Sequence, residues 1–126
     1  MDAAVPPLGR LKRRREFLAA AKGRKAGSDG LGLQARRRAP EEADCGDLLR
    51  LGFTCSKKVG NAVERNRARR RLKAVAAEIA PKLGRPGCDY VLIGRRATID
   101  YPFDRLKADM EAAFRAVDSR LRGGPN

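Results

Sequence analysis

The chain has 126 residues and a formal net charge of +14, with 29 Lys or Arg against 15 Asp or Glu and no His. That length suits one domain with a modest core. The absence of His removes the commonest general base and metal ligand, no apolar run is long enough to span a bilayer, and the basic N-terminus lacks the apolar stretch of a secretory signal. Charge of this size points to a polyanionic partner.

In chain order, Met1–Gly9 carries Pro6 and Pro7 and little periodicity, and reads as a disordered tail. Arg10–Lys25 holds eight Lys or Arg against Glu16 alone, a local charge of +7. Leu11, Phe17, Leu18 and Ala21 give it one apolar side, Ala19–Ala21 favours helix, and Gly23 ends it. Taken alone, Phe17 reads as a core anchor. Lys25–Gly32 is rich in Gly and Ser and predicts a turn. Leu31, Leu33 and Ala35 alternate with Gly32, Gln34 and Arg36, which predicts an edge-like strand. Pro40–Asp47 is acidic and predicts a surface loop turned away from any bound polyanion. Leu49, Leu51, Phe53 and Cys55 then alternate with Arg50, Gly52, Thr54 and Ser56, the clearest strand pattern in the chain, apolar on one face and polar on the other.

That strand delivers Lys57 and Lys58 to the most charged stretch, Lys57–Lys73, with eight Lys or Arg against Glu64 and a local charge of +7. Gly60 breaks the chain, and Asn61 with Glu64 three residues later forms a capping box. Behind the cap, Ala68, Leu72, Val75, Ala76 and Ile79 recur at helical spacing and predict a buried stripe. At about 100° per residue, Arg69 and Lys73 fall on one flank of it, with Asn66 beside Lys73. Arg67 and Arg70 point away, and Arg71 returns on the other flank. Arg65 lies over the stripe's edge, where its stem can pack and its head can snorkel. The helix is expected to run to about Ala80, with Pro81 ending or kinking it.

Tyr90–Ile93, within Asp89–Arg96, is short and β-rich and predicts a central strand. Pro102 and Asp104 suit a helix start, and Phe103, Leu106, Met110, Ala113, Phe114, Val117 and Leu121 step by three and four, predicting a structural helix packed on the sheet. Residues 10–121 therefore read as one domain, with 122–126 as a terminal tail.

Little here suggests catalysis by the chain itself. Asp100 with Asp104, and Asp44 with Asp47, are spaced for metal pairs but serve more simply as cap and loop residues, so neither a catalytic nor a metal-ligating residue is assigned. Three cysteines, Cys45, Cys55 and Cys88, are odd in number and match no metal motif, which fits a reducing, cytoplasmic setting. Four Phe, two Tyr and no Trp make a base-stacking sheet of the RRM type a poor fit. Binding is expected mainly to phosphate backbone and shape.

The run Ser56-Lys57-Lys58, Gly60-Asn61-Ala62-Val63 and Arg65-Asn66-Arg67 resembles, in order and spacing, the signature of the bacterial ribonuclease P protein subunit. The similarity extends over about residues 10–121, through the Phe-bearing basic segment, the strand into Ser-Lys-Lys, the Asp89–Arg95 strand and the closing helix. The resemblance implies an α/β two-layer sandwich like domain 2 of ribosomal protein S5, with a left-handed βαβ crossover through the basic helix, against the usual rule. It implies a protein that assists a catalytic RNA in removing the 5′ leader of precursor tRNA with Mg²⁺ bound mainly by the RNA. Lys57, Lys58, Asn61, Arg65, Asn66, Arg67, Arg69 and Arg70 would face the catalytic RNA, joined by Lys73, and the sheet face beside Phe17 would guide the leader. Family members often carry further aromatics where this chain has Ala21 and Gln34, which leaves more of the stacking to Phe17. Two other readings are a structural RNA-binding protein of ribosomal type and a DNA-binding regulator with the basic helix in a major groove. The second calls for a compact helical dimer, which the strand patterns oppose.

Overall fold

The computed structural model describes residues 8–39 and 48–122. The acidic segment Pro40–Asp47, with Asp44, Cys45 and Asp47, lies outside them, as do Met1–Pro7 and Gly123–Asn126. The elements follow as β1 (Leu8–Arg10), α1 (Arg14–Ala21), β2 (Arg24–Gly27), β3 (Leu31–Arg37), β4 (Leu49–Thr54), α2 (Ala62–Leu83), β5 (Cys88–Gly94), a 3-10 turn (Arg96–Ile99) and α3 (Phe103–Arg122). The strands form one five-stranded sheet in the order β1-β4-β5-β3-β2.

The middle of that order is β5, buried along nearly all its length, as its apolar run predicts. It pairs parallel with β4 and antiparallel with β3, so β4, α2 and β5 make a βαβ unit between neighbouring strands. The α2 stripe of Ala68, Leu72, Val75, Ala76 and Ile79 is buried against one sheet face, joined by Leu106, Met110, Phe114 and Val117 of α3 and by Leu31, Leu33, Leu49, Tyr90 and Leu92 of the strands. The Tyr90 and Phe114 rings, 4.9 Å between centroids, fasten α3 to the central strand. This sandwich is the main core. On the other face, the short α1 covers a smaller cluster of Leu11, Ala20 and Val91, with Phe17 and Ile93 packed against it.

Several local expectations are corrected. Leu8 and Gly9 belong to a strand rather than a tail, because β1 pairs parallel with Leu49–Leu51 of β4. The stretch expected to be a turn from Lys25 is mostly β2, antiparallel to β3. The reversal is confined to Ser28–Gly30, where Ser28 Oγ accepts the Gly30 N–H at 3.0 Å. With β2 outside it, β3 is an inner strand and not an edge. Pro81 falls inside α2, which continues to Leu83.

Candidate nucleic-acid interface

The start of α2 is built as its sequence requires. Asn61 Oδ1 accepts the Glu64 N–H, and Glu64 Oε1 accepts the Asn61 N–H, each at 2.8 Å. Gly60 precedes the cap with φ of 153°. A Cβ there would stand 2.3 Å from Glu64 Oε1, so only glycine admits the closed box. The cap fixes where the following arginines emerge.

Apart from Arg65, the basic side chains face three ways. Lys57 and Lys58, in the turn after β4, and Arg70 on the outer face of α2 are exposed. Arg69 and Lys73 lean toward β4, with Lys73 Nζ 5.8 Å from the Phe53 ring centroid. On the third side, Arg67 Nε donates to the Ile99 carbonyl at 3.0 Å, while Arg71 donates to the Tyr101 carbonyl and lies 5.8 Å from the Phe103 ring centroid. Arg67 therefore bends toward the 3-10 turn rather than pointing straight out, though it stays exposed. Asn66 Oδ1 accepts from Arg69 Nη1 at 3.0 Å. Arg65 is half-buried at the stripe's edge, as expected.

A groove opens between α1 and α2 at the end of β4. Because β1 pairs only with Leu49–Leu51, the edge of β4 from Gly52 onward has no neighbouring strand among the described residues. Two adjoining cavities of about 370 and 250 Å³ lie there, sharing Phe17, Phe53 and Arg69, with Arg14 and Thr54 on one and Lys12 and Lys73 on the other. Phe17 rests directly on Gly52, where a Cβ would come within 2.6 Å of Phe17 Cε1. Phe17 is thus both an anchor of the small α1 cluster and a wall of the groove. Aromatic faces flanked by cations suit a single-stranded nucleic acid, whose bases stack while its phosphates are neutralised.

Beneath α1 lies an ion network that the strand pattern concealed. Asp89 is fully buried. Its carboxylate accepts from Arg50 Nε and Nη2, both at 2.7 Å, and from Arg38 Nη1 at 2.6 Å, with Arg36 Nε at 3.4 Å. Arg50 Nη1 continues to Glu16 Oε2 at 2.9 Å. Glu16 Oε1 in turn accepts the Lys12 and Arg13 N–H groups at the start of α1, at 2.8 and 2.9 Å. Partial burial alone would raise the Glu16 carboxyl, but those two backbone donors and the Arg50 guanidinium outweigh it and hold it below the usual glutamate range. Arg50, a solvent-facing residue by the alternation of its strand, is therefore buried, because α1 roofs that face. The one sequence signal for the network is Asp89 itself, a lone acid opening an apolar run.

Burial raises the Cys55 thiol, with Arg69 and Arg65 offsetting part of the rise, so it rests as a neutral packing group. Burial likewise raises Cys88. Among the described residues, no three of His, Cys, Asp or Glu come together, and no helix is long and apolar enough to cross a membrane.

Fold and surface together define a small, strongly cationic α/β protein of the nucleic-acid-binding class. The family model described as Ribonuclease P matches residues 5–118. The chain is 52% identical over 108 residues to the ribonuclease P protein component of Ruegeria pomeroyi, covering 85% of this chain and 84% of that one. It is 48% identical over 111 residues to that of Paramagnetospirillum magneticum, covering 87% and 83%. Among solved structures, the RNase P protein of Staphylococcus aureus superposes with a TM-score of 0.68 at 23% identity, covering 85% of this chain and 93% of the other. That of Thermotoga maritima gives 0.66 at 22% identity, covering 84% and 96%. The chain belongs to the ribonuclease P protein family, whose members are part of the tRNA-processing ribonucleoprotein.

Proposed function

We propose a division of labour in which an RNA subunit and its Mg²⁺ cleave precursor tRNA, while this chain screens charge and positions the 5′ leader. The observation that carries this reading is the groove in which Phe17 and Phe53 meet Arg69 and Lys73. Such a site offers stacking and phosphate neutralisation and supplies no proton-transfer group of the usual kind. Phosphodiester hydrolysis calls for an activated water and stabilisation of a developing oxyanion, the chemistry that Mg²⁺ supplies. The donor set of the described residues suits the phosphates around such ions better than the ions themselves, because it is dominated by Lys and Arg and brings no acid cluster together.

In this reading Lys57, Lys58, Arg65, Arg67 and Arg70 meet the RNA subunit, with Asn61 and Asn66 ordering the helix start beside them. Arg69 and Lys73 lie between that surface and the groove, where they serve both the RNA subunit and the leader. The setting expected for such a complex is the cytoplasm. The test is leader-dependent binding. Phe17→Ala in the reconstituted ribonucleoprotein is expected to weaken precursor tRNA binding by about 1–3 kcal/mol, the worth of one base–aromatic stack, and to leave mature tRNA binding unchanged. Equal losses on both ligands would remove Phe17 from the leader site.

A further inference from the structure

Phe103 opens the apolar stripe of α3 in the sequence, but the fold does not bury it with the rest. Leu106, Met110, Phe114 and Val117 are fully buried, whereas Phe103 is 43% exposed. Of the four Phe residues it is the exposed one, since Phe17 and Phe53 are half-buried in the groove wall and Phe114 lies in the core. Its backbone is firmly placed. Pro102 restricts the chain before it, and the Leu106 N–H donates to the Pro102 carbonyl at 2.9 Å. In the preceding 3-10 turn, Thr98 is buried and its Oγ1 donates to the Gly30 carbonyl.

The ring stands at one end of a shallow gutter between α2 and the 3-10 turn. Val63, Arg67 and Arg71 follow one another at every fourth position along a single ridge of α2, about 12 Å long. The chain from Arg96 to Phe103 runs alongside in the same direction. Arg67 Nε donates to the Ile99 carbonyl at 3.0 Å, and Arg71 donates to the Tyr101 carbonyl. Arg71 also lies 5.8 Å from the Phe103 ring centroid, so both guanidiniums are set in place before any partner arrives. Val63, 76% exposed, marks the other end, and Arg67, Arg70 and Arg96 are exposed nearby. This is the flank of α2 away from Arg69 and Lys73, and the gutter shares no residue with the Phe17 groove.

A large apolar ring left in water marks a contact surface, and the charge around it says of which kind. Arg67, Arg70, Arg71 and Arg96 outnumber Asp100 and Asp104, the exposed acids beside Phe103 in the chain, so a polyanion is favoured. The two acids make a bare phosphate cradle a poor match. A nucleobase fits the mixture, because its face stacks on the ring and its edge offers donors as well as acceptors. We infer that Phe103 is a stacking platform for one unpaired base of the RNA subunit, with Arg67 and Arg71 receiving the flanking phosphates. The inference rests on the reading that α2 meets that RNA, and it adds a contact made by α3, outside the basic helix.

The chain has no Trp, so Phe103→Trp puts the protein's single indole on the platform. Precursor tRNA is left out, so no leader takes part. Titrating the RNA subunit into this variant should quench its fluorescence at wild-type affinity. Phe103→Leu keeps an apolar side chain without a stacking face. It should weaken RNA-subunit binding by about 10-fold, within the range of one base–aromatic stack, and leave the log–log salt slope unchanged because no phosphate contact is lost. Its melt in sulfate should match that of wild type. An unquenched indole in the bound complex, or wild-type affinity in Phe103→Leu, would overturn the platform. So would quenching that develops with protein concentration in the absence of RNA, together with a doubled mass in sedimentation, which would make the patch a contact between two copies of the chain. Arg70→Gln separates the two readings: if its salt slope on the RNA subunit equals that of wild type, the assignment of α2 to that RNA fails first.

Discussion

Arg50 holds the buried carboxylate of Asp89 through two nitrogens, Nε to Oδ1 and Nη2 to Oδ2, each at 2.7 Å. Its remaining nitrogen holds Glu16 at 2.9 Å, and Glu16 caps α1. The central strand is therefore linked through one side chain to the helix that carries Phe17. Arg50→Met removes one partner of a buried pair and leaves Asp89 to Arg38 and Arg36. A loss of about 3–5 kcal/mol is expected, read by urea denaturation. The groove should suffer as well, with leader-dependent binding falling in any variant that still folds.

Two carboxyls with lowered folded values set an acid limb. The Glu16 carboxyl lies below its usual range in the folded chain, and so does Asp109, which accepts from Ser28 Oγ at 2.6 Å and Tyr101 OH at 2.7 Å. In that window the unfolded chain binds more protons, so stability rises with pH. Their contribution is fully present above the ordinary carboxylate values of about 4 and disappears as pH falls through the lower folded ones. Glu16→Gln and Asp109→Asn should each flatten the fall in melting temperature between about pH 5 and pH 3 while leaving the shape of the curve near pH 7 unchanged.

Gly52 tests the groove from below. A Cβ there meets Phe17 Cε1 at 2.6 Å and Leu11 Cδ1 at 2.9 Å. Gly52→Ala should displace Phe17 and cost about 1–3 kcal/mol of stability through overpacking. Its binding defect should resemble that of Phe17→Ala, selective for precursor over mature tRNA in equilibrium binding.

The basic helix should act through phosphates. Substituting Arg65, Arg67, Arg69 and Arg70 together by Ala should lower the log–log salt slope for RNA-subunit binding by about one for each phosphate that is no longer neutralised. Arg70, exposed on the outer face, should contribute with little effect on folding. Removing Arg67 also removes its bond to the Ile99 carbonyl and should destabilise slightly. A folded fourfold variant with an unchanged slope would place the RNA subunit elsewhere on the chain.

Two stretches of +7 on a small core repel each other without a partner. The free protein is expected to be partly unfolded at low ionic strength and to fold as sulfate is added. An anion at 100 times its dissociation constant contributes about 2.7 kcal/mol. Circular dichroism across a sulfate titration reads this, and a cooperative melt indifferent to sulfate would contradict it.

How much of the molecule is legible in its sequence follows from where the determinants lie. The strand β4, the capped helix α2 and the closing α3 carry long periodic patterns, and all three stand where those patterns put them. The strands β1 and β2 are three and four residues long, too short to show a period, and exist because neighbours offer an edge. The alternation of β4 puts Arg50 on the correct face, but nothing local says that α1 roofs it. Asp89 and Arg38 are 51 residues apart, a pairing that only the β3–β5 register creates. Within the candidate interface, the positions of Phe17 and of the basic residues of α2 are legible because their motifs are contiguous. The groove is not, because its floor is the missing side chain at Gly52 and its opening is the shortness of β1.

The division of labour is the central claim, and one assay on precursor tRNA tests it most directly. Purified protein without RNA, in excess Mg²⁺, should release no leader. The same protein added to its RNA subunit at a Mg²⁺ concentration too low for the RNA alone should restore cleavage at the mature 5′ end. Specific cleavage by the RNA-free protein would contradict the account and put the active site in this chain.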